Sequence, residues 1–263
     1  MNVTVNCART ADFEMDYFSF GNGKTNLVIL PGLSLLPVTP MAKAVVMQYR
    51  KFHNDYTVYL FDRKRVVPEG YTIEQMAQDT VEAMRIAGID NAILMGCSQG
   101  GMIAQVIAAK WPQMVKKLVL CSTATQPNDN ALKVLSGWIK LAQSGNMQAF
   151  NRDVFKHVYS QEYYEKYEQS FKLAEDLGTP ADVEHFIPLA KACLGYDSRE
   201  ILSSIKCPVM VVGSNIDNVL GGESSRHLAQ ALDAQLLMYD NYGHAAYDEA
   251  PDLHDHLLKF FEG

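Results

Sequence analysis

A chain of 263 residues, 48% of them hydrophobic, is long enough for one large α/β domain or for a core domain carrying an insertion. Its formal net charge is −7 and no basic tract stands out, so nucleic acid has no electrostatic footprint here. The five cysteines are scattered without a C-x-x-C pair, and neither a leader-like N-terminus nor an apolar stretch of membrane-spanning length is present. These features predict reduced thiols, no zinc site, no membrane span and a cytoplasmic location.

Residues 3–20 alternate as two edge strands do, and Gly21-Asn22-Gly23 supplies a turn before the apolar run at 27–30, which has the form of a buried strand. Gly23-Lys24-Thr25 is not a P-loop, because the glycine required five residues earlier is Phe18. Residues 41–52 read as helix, 56–61 as strand, 73–86 as helix and 92–95 as strand. Helix 102–111 and strand 118–121 follow. This rhythm predicts a mostly parallel central sheet with helices on both faces.

From about 126 to 199 the pattern is helical only, with Leu132, Leu135, Trp138, Ile139 and Leu141 forming an apolar stripe. Strand character returns at 209–212, then a helix near 225–232, a strand at 236–239 and a closing helix at 250–261. The expected organisation is a core of residues 1–125 and 200–263, interrupted by a helical cap at 126–199; a separate interaction domain gives the same pattern.

Gly96-Cys97-Ser98-Gln99-Gly100 lies between a predicted strand and a predicted helix. A serine hydroxyl is a poor nucleophile unless the fold lifts it clear of the sheet and sets a base beside it. The sharp turn that does so tolerates only very small residues two before and two after the serine. Gly96 and Gly100 meet that demand; a turn that merely packs tightly is the competing explanation.

Of the seven histidines, His53 ends a helix, His157 and His185 fall in the helical block, His227 lies inside a helix, and His254 and His256 point to different sides of the last one. His244 follows the last strand in Asn241-Tyr242-Gly243-His244, at the carboxyl edge of the sheet where ligands of open α/β sheets bind. Asp217, in Gly213-Ser214-Asn215-Ile216-Asp217, is the candidate acid, with Asp240 and Asp248 as rivals. The resulting order is Ser98, Asp217, His244.

The chain resembles the α/β-hydrolase superfamily, in particular the small esterase and lactonase-like group with a helical cap. The matching pieces are Pro31-Gly32-Leu33, Gly96-Cys97-Ser98-Gln99-Gly100-Gly101, Asp217, and Gly243-His244 with Glu249-Ala250-Pro251 behind it. The resemblance implies an oxyanion hole formed by the backbone N–H groups of Leu33 and Gln99. Two departures stand out. Pro31 occupies the place where the family usually has histidine, and Phe61-Asp62-Arg63-Lys64-Arg65-Val66 replaces the glycine-bearing Asp-x-Arg-Gly turn of many relatives.

Among the aromatics of the helical block, Trp138 and Phe186 are candidate pocket residues, although helix-spaced aromatics usually pack a core. Arg63-Lys64-Arg65 offers charge to an anionic substrate but reads better as a solvated loop. The expected activity is hydrolysis of a small-molecule ester, thioester or lactone through Ser98, His244 and Asp217, with no cofactor and no metal. Carbon–carbon hydrolysis, acyl transfer and perhydrolysis use the same residues, and a non-catalytic ligand-binding protein is the alternative of another class. The sequence leaves the oligomeric state open.

Overall fold

Side-chain alternation along the strands decides the architecture. Leu27 and Ile29 enter one apolar cluster while Val28 and Leu30 enter another, as a strand covered on both faces requires. The structure, a computed structural model, describes residues 2–263. Its strands are β1 (Val3–Arg9), β2 (Glu14–Gly21), β3 (Thr25–Leu30), β4 (Tyr56–Lys64), β5 (Ala92–Cys97), β6 (Val115–Cys121), β7 (Val209–Ser214) and β8 (Gln235–Tyr239). They form an eight-stranded sheet in the order β1-β2-β4-β3-β5-β6-β7-β8. Pairing is antiparallel for β1 with β2 and for β2 with β4, and parallel elsewhere. Only β1 of the first two strands is an edge; β2 is interior, paired with β1 on one side and with β4 on the other.

One face is covered by α2 (Ile73–Ile86), α3 (Gln99–Lys110) and α9 (Gly222–Leu232), whose Met76, Ile103 and Leu228 are fully buried in the larger cluster. The other face carries α1 (Ala42–Gln48) and α11 (Leu253–Glu262), through Val46, Phe52 beyond α1, Leu257 and Phe261. The helix expected at 41–52 is broken into α1 flanked by 3₁₀ turns at Thr39–Met41 and Arg50–Phe52. The closing helix starts three residues later than its pattern suggests. Pro251 has no N–H to give a helix, and the short α10 (Ala246–Glu249) precedes it.

Between β6 and β7 lie five consecutive helices: α4 (Asp129–Gln143), α5 (Met147–Val158), α6 (Gln161–Lys166), α7 (Glu168–Ala174) and α8 (Pro180–Leu194). Local signals fix their starts. Asn128 caps α4, Asn146 caps α5, Ser160 caps α6, and Thr179 with Asp182 forms a reciprocal capping box on α8 with Pro180 in its first turn. The apolar sides of α4, α5 and α8 join the larger sheet-facing cluster through Val134, Leu135, Phe150 and Leu189. No helix of the described residues is long and apolar enough to cross a membrane.

Candidate active site

Ser98 sits between β5 and α3 at φ 51° and ψ −117°, a conformation that L-residues rarely adopt. The flanking glycines make it possible. A Cβ on Gly96 would strike the Gly100 carbonyl, and one on Gly100 would strike the Leu30 carbonyl at the end of β3. Backbone contact therefore dictates residue type on both sides of the serine. The Ser98 N–H is held by the Cys121 carbonyl at 2.9 Å, and the Thr123 hydroxyl donates to the Ser98 carbonyl at 2.9 Å.

The three residues singled out in the sequence meet at this edge. His244 Nε2 lies 2.9 Å from Ser98 Oγ, and His244 Nδ1 lies 2.8 Å from Asp217 Oδ2. The other carboxylate oxygen of Asp217 accepts from the Val219 and Leu220 amides, each at 2.8 Å. Burial raises the Asp217 pKa, but the neighbouring His244 and these hydrogen bonds outweigh it and hold the carboxyl below the usual carboxylate range. An ionised Asp217 accepting at Nδ1 selects the tautomer in which Nε2 accepts the serine proton. The rival acids are engaged elsewhere: Asp240 accepts from Asn215 Nδ2 and Asp248 from Gln48 Nε2.

The loop 31–33 runs against the serine. A Cβ on Gly32 would come within 3.4 Å of Ser98 Cβ and 3.6 Å of the Tyr247 hydroxyl. Among the described residues the amides of Leu33 and Gln99 donate to no protein acceptor, which leaves both free for a ligand oxygen. The expected solvated loop at Arg63-Lys64-Arg65 is instead mostly strand, since β4 extends through Lys64. Arg63 is 9% exposed, donates from Nη2 to the Pro31 carbonyl at 2.8 Å and from Nε to Gln99 Oε1 at 3.2 Å. It thus braces the loop on which Pro31 stands in place of the family's histidine. Gln99 Nε2 in turn donates to the Leu189 carbonyl at 2.8 Å and to Cys193 Sγ at 3.1 Å, which ties the elbow to α8.

A second tie joins the histidine loop to the helical segment. The buried Glu249 carboxylate accepts from the Gly243 amide at 2.9 Å, the Ser160 amide at 2.9 Å and the Ser160 hydroxyl. The Ala245 amide donates to the Val158 carbonyl at 2.8 Å. Gly243 is obligatory here, because a Cβ would collide with the backbone from Val158 to Ser160. Of these supports, only Glu249 and Gly243 were visible in the sequence, as part of the matching pattern. Arg63 was seen as charge and not as a brace.

A cavity of about 270 Å³ opens beside Gly32 and Gln99, with Leu35, Arg63, His185 and Leu189 on its wall. Trp138 and Phe186, the candidate pocket residues, do not line it. Trp138 donates its indole N–H to Asp153 Oδ2 at 3.0 Å, and Phe186 packs edge-on against Phe150 with ring centres 5.1 Å apart. Both are buried where α4, α5 and α8 pack together and join the larger cluster, the role that helix-spaced aromatics usually fill. No group of three or more His, Cys, Asp or Glu among the described residues is arranged to hold a metal ion.

Comparison with known proteins agrees with this architecture. A curated relative from Stutzerimonas stutzeri (strain A1501), "Putative carbamate hydrolase RutD", is 26% identical over 205 residues, covering 73% of this chain and 76% of its own. MGS-M2, an alpha/beta hydrolase enzyme from a Medee basin deep-sea metagenome library, superposes with a TM-score of 0.86 at 24% identity over 98% of both chains. The enol-lactonase from Burkholderia xenovorans LB400 superposes with a TM-score of 0.83 at 22% identity, covering 98% of this chain and 100% of its own. The model of the alpha/beta hydrolase fold matches residues 50–251, so the chain belongs to the α/β-hydrolase family.

Proposed function

We propose that the chain is a cofactor-free serine hydrolase acting on a small ester, thioester or lactone. The carrying observation is the unbroken run of hydrogen bonds from Asp217 through His244 to Ser98 beside two undonated amides. In this reading His244 Nε2 takes the Ser98 proton as Oγ attacks the substrate carbonyl. The Leu33 and Gln99 amides receive the oxyanion, donors of a kind whose removal in other enzymes costs about 3–4 kcal/mol. Protonated His244 then delivers its proton to the leaving oxygen or sulfur, and an acyl-enzyme remains. Water, deprotonated by His244, attacks that acyl group and Ser98 recovers its proton.

Residues 126–199 act in this proposal as a cap on a core made of 1–125 and 200–263. Support comes from the bonds of Gln99 to α8 and of the histidine loop to Val158 and Ser160, which set the helical segment against both halves of the site. A carbamate is a second reading, favoured by the printed name of the Stutzerimonas relative, and the same attack on a carbonyl serves it.

Fluorophosphonate labelling followed by peptide mapping tests the nucleophile: the label is expected on Ser98 and absent in Ser98→Ala. Turnover of p-nitrophenyl esters of increasing acyl length, of lactones and thioesters, and of an N-unsubstituted carbamate then separates the two readings. Labelling elsewhere, or full ester turnover by the alanine variant, overturns the proposal.

A further inference from the structure

A half-buried tyrosine beside the serine carries a hydroxyl that the protein leaves unused. Tyr247 lies on α10, three residues beyond His244, and its ring packs against the smaller apolar cluster on the α1 and α11 face of the sheet. Among the described residues its hydroxyl meets no hydrogen-bond partner, and it is not sealed from solvent. The polar groups next to it are spent. Asp248 accepts from Gln48 Nε2 and from the Tyr159 hydroxyl, and Glu249 holds the amides of Gly243 and Ser160.

This hydroxyl lies at the reacting end of the site. A Cβ on Gly32 would stand 3.4 Å from Ser98 Cβ and 3.6 Å from the Tyr247 hydroxyl, so those two groups are no more than about 7 Å apart. Gly32 has neither a positive φ nor a collision to explain it, unlike Gly96 and Gly100, which a side chain could not share with the backbone. What its missing side chain leaves is open space between Ser98 and Tyr247. The next residue is Leu33, whose amide is one of the two without an acceptor. An oxygen bonded to the carbon that Ser98 attacks, with one hydrogen bond of about 2.8 Å, fills a gap of this size. Burial, reinforced by the nearby Asp248 charge, holds the Tyr247 phenol well above its usual range, so it stays a protonated donor at neutral and mildly alkaline pH.

We propose that the Tyr247 hydroxyl is a third donor to the oxyanion, alongside the Leu33 and Gln99 amides. The proposal rests on the serine hydrolase reading. As Ser98 Oγ bonds to the substrate carbonyl carbon, its proton passes to His244 Nε2 and the carbonyl π pair moves onto the oxygen. Tyr247 donates to that oxygen and keeps its own proton; when the intermediate collapses the pair returns to the carbonyl and the bond weakens. A contact stronger in the transition state than with bound substrate acts on kcat and leaves KM nearly alone. The hole then draws on three segments: the loop 31–33, the elbow, and the short helix after His244.

The test is Tyr247→Phe in the full-length chain, which removes the hydroxyl and nothing else. On one p-nitrophenyl ester its kcat is expected to fall at least about tenfold, with KM within about twofold of the parent's. A trifluoromethyl ketone of matching acyl length, which Ser98 converts to an anionic hemiketal, is expected to bind the variant more weakly by a similar factor. The corresponding methyl ketone, which stays a ketone, is expected to bind both alike. A role in packing alone does not separate the two ketones. An unchanged kcat, or an equal loss of affinity for both ketones, overturns the proposal. So does a lowered Tm or a failure to fold, because either shows that the hydroxyl is bonded within the protein. Fluorophosphonate labelling of Ser98 in the parent, with kcat intact in Tyr247→Phe, sinks this inference alone. A parent that takes no label and cleaves no ester sinks the hydrolase reading and this inference with it.

Discussion

The two loops that carry Ser98 and His244 are held by different means. The serine elbow is fixed by backbone against backbone: Gly96 meets Gly100, Gly100 meets Leu30, and any side chain at either position collides. The histidine loop is fixed by a mixture: Gly243 meets the backbone of Val158 to Ser160, the Ala245 amide donates to the Val158 carbonyl, and side chains hold the rest. Glu249 gathers the amides of Gly243 and Ser160, and Ser214 Oγ donates to the Tyr242 carbonyl. A constraint made of backbone excludes residue types and so leaves a motif. A constraint made of side chains can be met in many ways and leaves almost none.

The largest effects should fall where the two loops meet. Ser98→Ala and His244→Gln are each expected to lower kcat/KM by about 10⁵-fold or more, because members of a triad act as a unit. Asp217→Asn is expected to cost about 10⁴-fold by leaving His244 in the wrong tautomer. Steady-state rates on one activated ester check all three, with circular dichroism to establish folding. If Asp240→Asn were as damaging as Asp217→Asn, the acid would have been placed on the wrong strand.

A smaller effect separates the two kinds of support. Gly100→Ala has no room to relax, since its Cβ meets the carbonyls of Leu30 and Pro31, and it should reduce folded yield before activity can be compared. Glu249→Ala should fold, with the Gly243 and Ser160 amides left unsatisfied at about 1–3 kcal/mol each. We expect kcat to fall about 10- to 100-fold as His244 loses its fixed position. Glu249→Gln keeps an acceptor for both amides and should recover most of the rate. A Glu249→Ala variant with the parent's kcat would show that Gly243 and the Val158–Ala245 bond hold the loop without it.

The same distinction explains what could be read from the sequence. The strand and helix rhythm, the elbow and the chain order of Ser98, Asp217 and His244 were legible because period-two burial and glycine-only turns restrict residue type. Arg63 was not. Strand β4 runs beyond its apolar stretch with Leu60 to Arg63 all buried, so no alternation marks Arg63 as inward-facing, and the charges of Asp62, Lys64 and Arg65 around it read as solvated loop. Trp138 and Phe186 were legible as buried aromatics but not as neighbours of any cavity, because helical periodicity gives a face and not its partner. The break at 49–52 likewise carried no glycine or proline to announce it.

The smallest predicted effect concerns Asp248, next to Glu249 and unlike it in its setting. Glu249 receives three donors, whereas Asp248 accepts from Gln48 Nε2 and lies against Tyr159. Burial, reinforced by the Glu249 charge and only partly opposed by Gln48 and Tyr159, pushes the Asp248 carboxyl up from 3.8 to about 6. Between those values the folded chain holds a proton that the unfolded chain has released, so stability falls as pH rises through the window. Above about pH 6 the ionised group costs the fold about 2 kcal/mol, less than full burial would impose because the Asp248 side chain is only half-buried. Asp248→Asn keeps an acceptor for Gln48 and carries no charge. It should therefore raise Tm at pH 8, lose that advantage by about pH 4, and leave turnover near the parent's. An advantage that persisted at pH 4 would trace to packing and not to charge. A large loss of turnover would mean that the bond from Gln48, which ties α1 to the segment behind His244, steadies the histidine as Glu249 does.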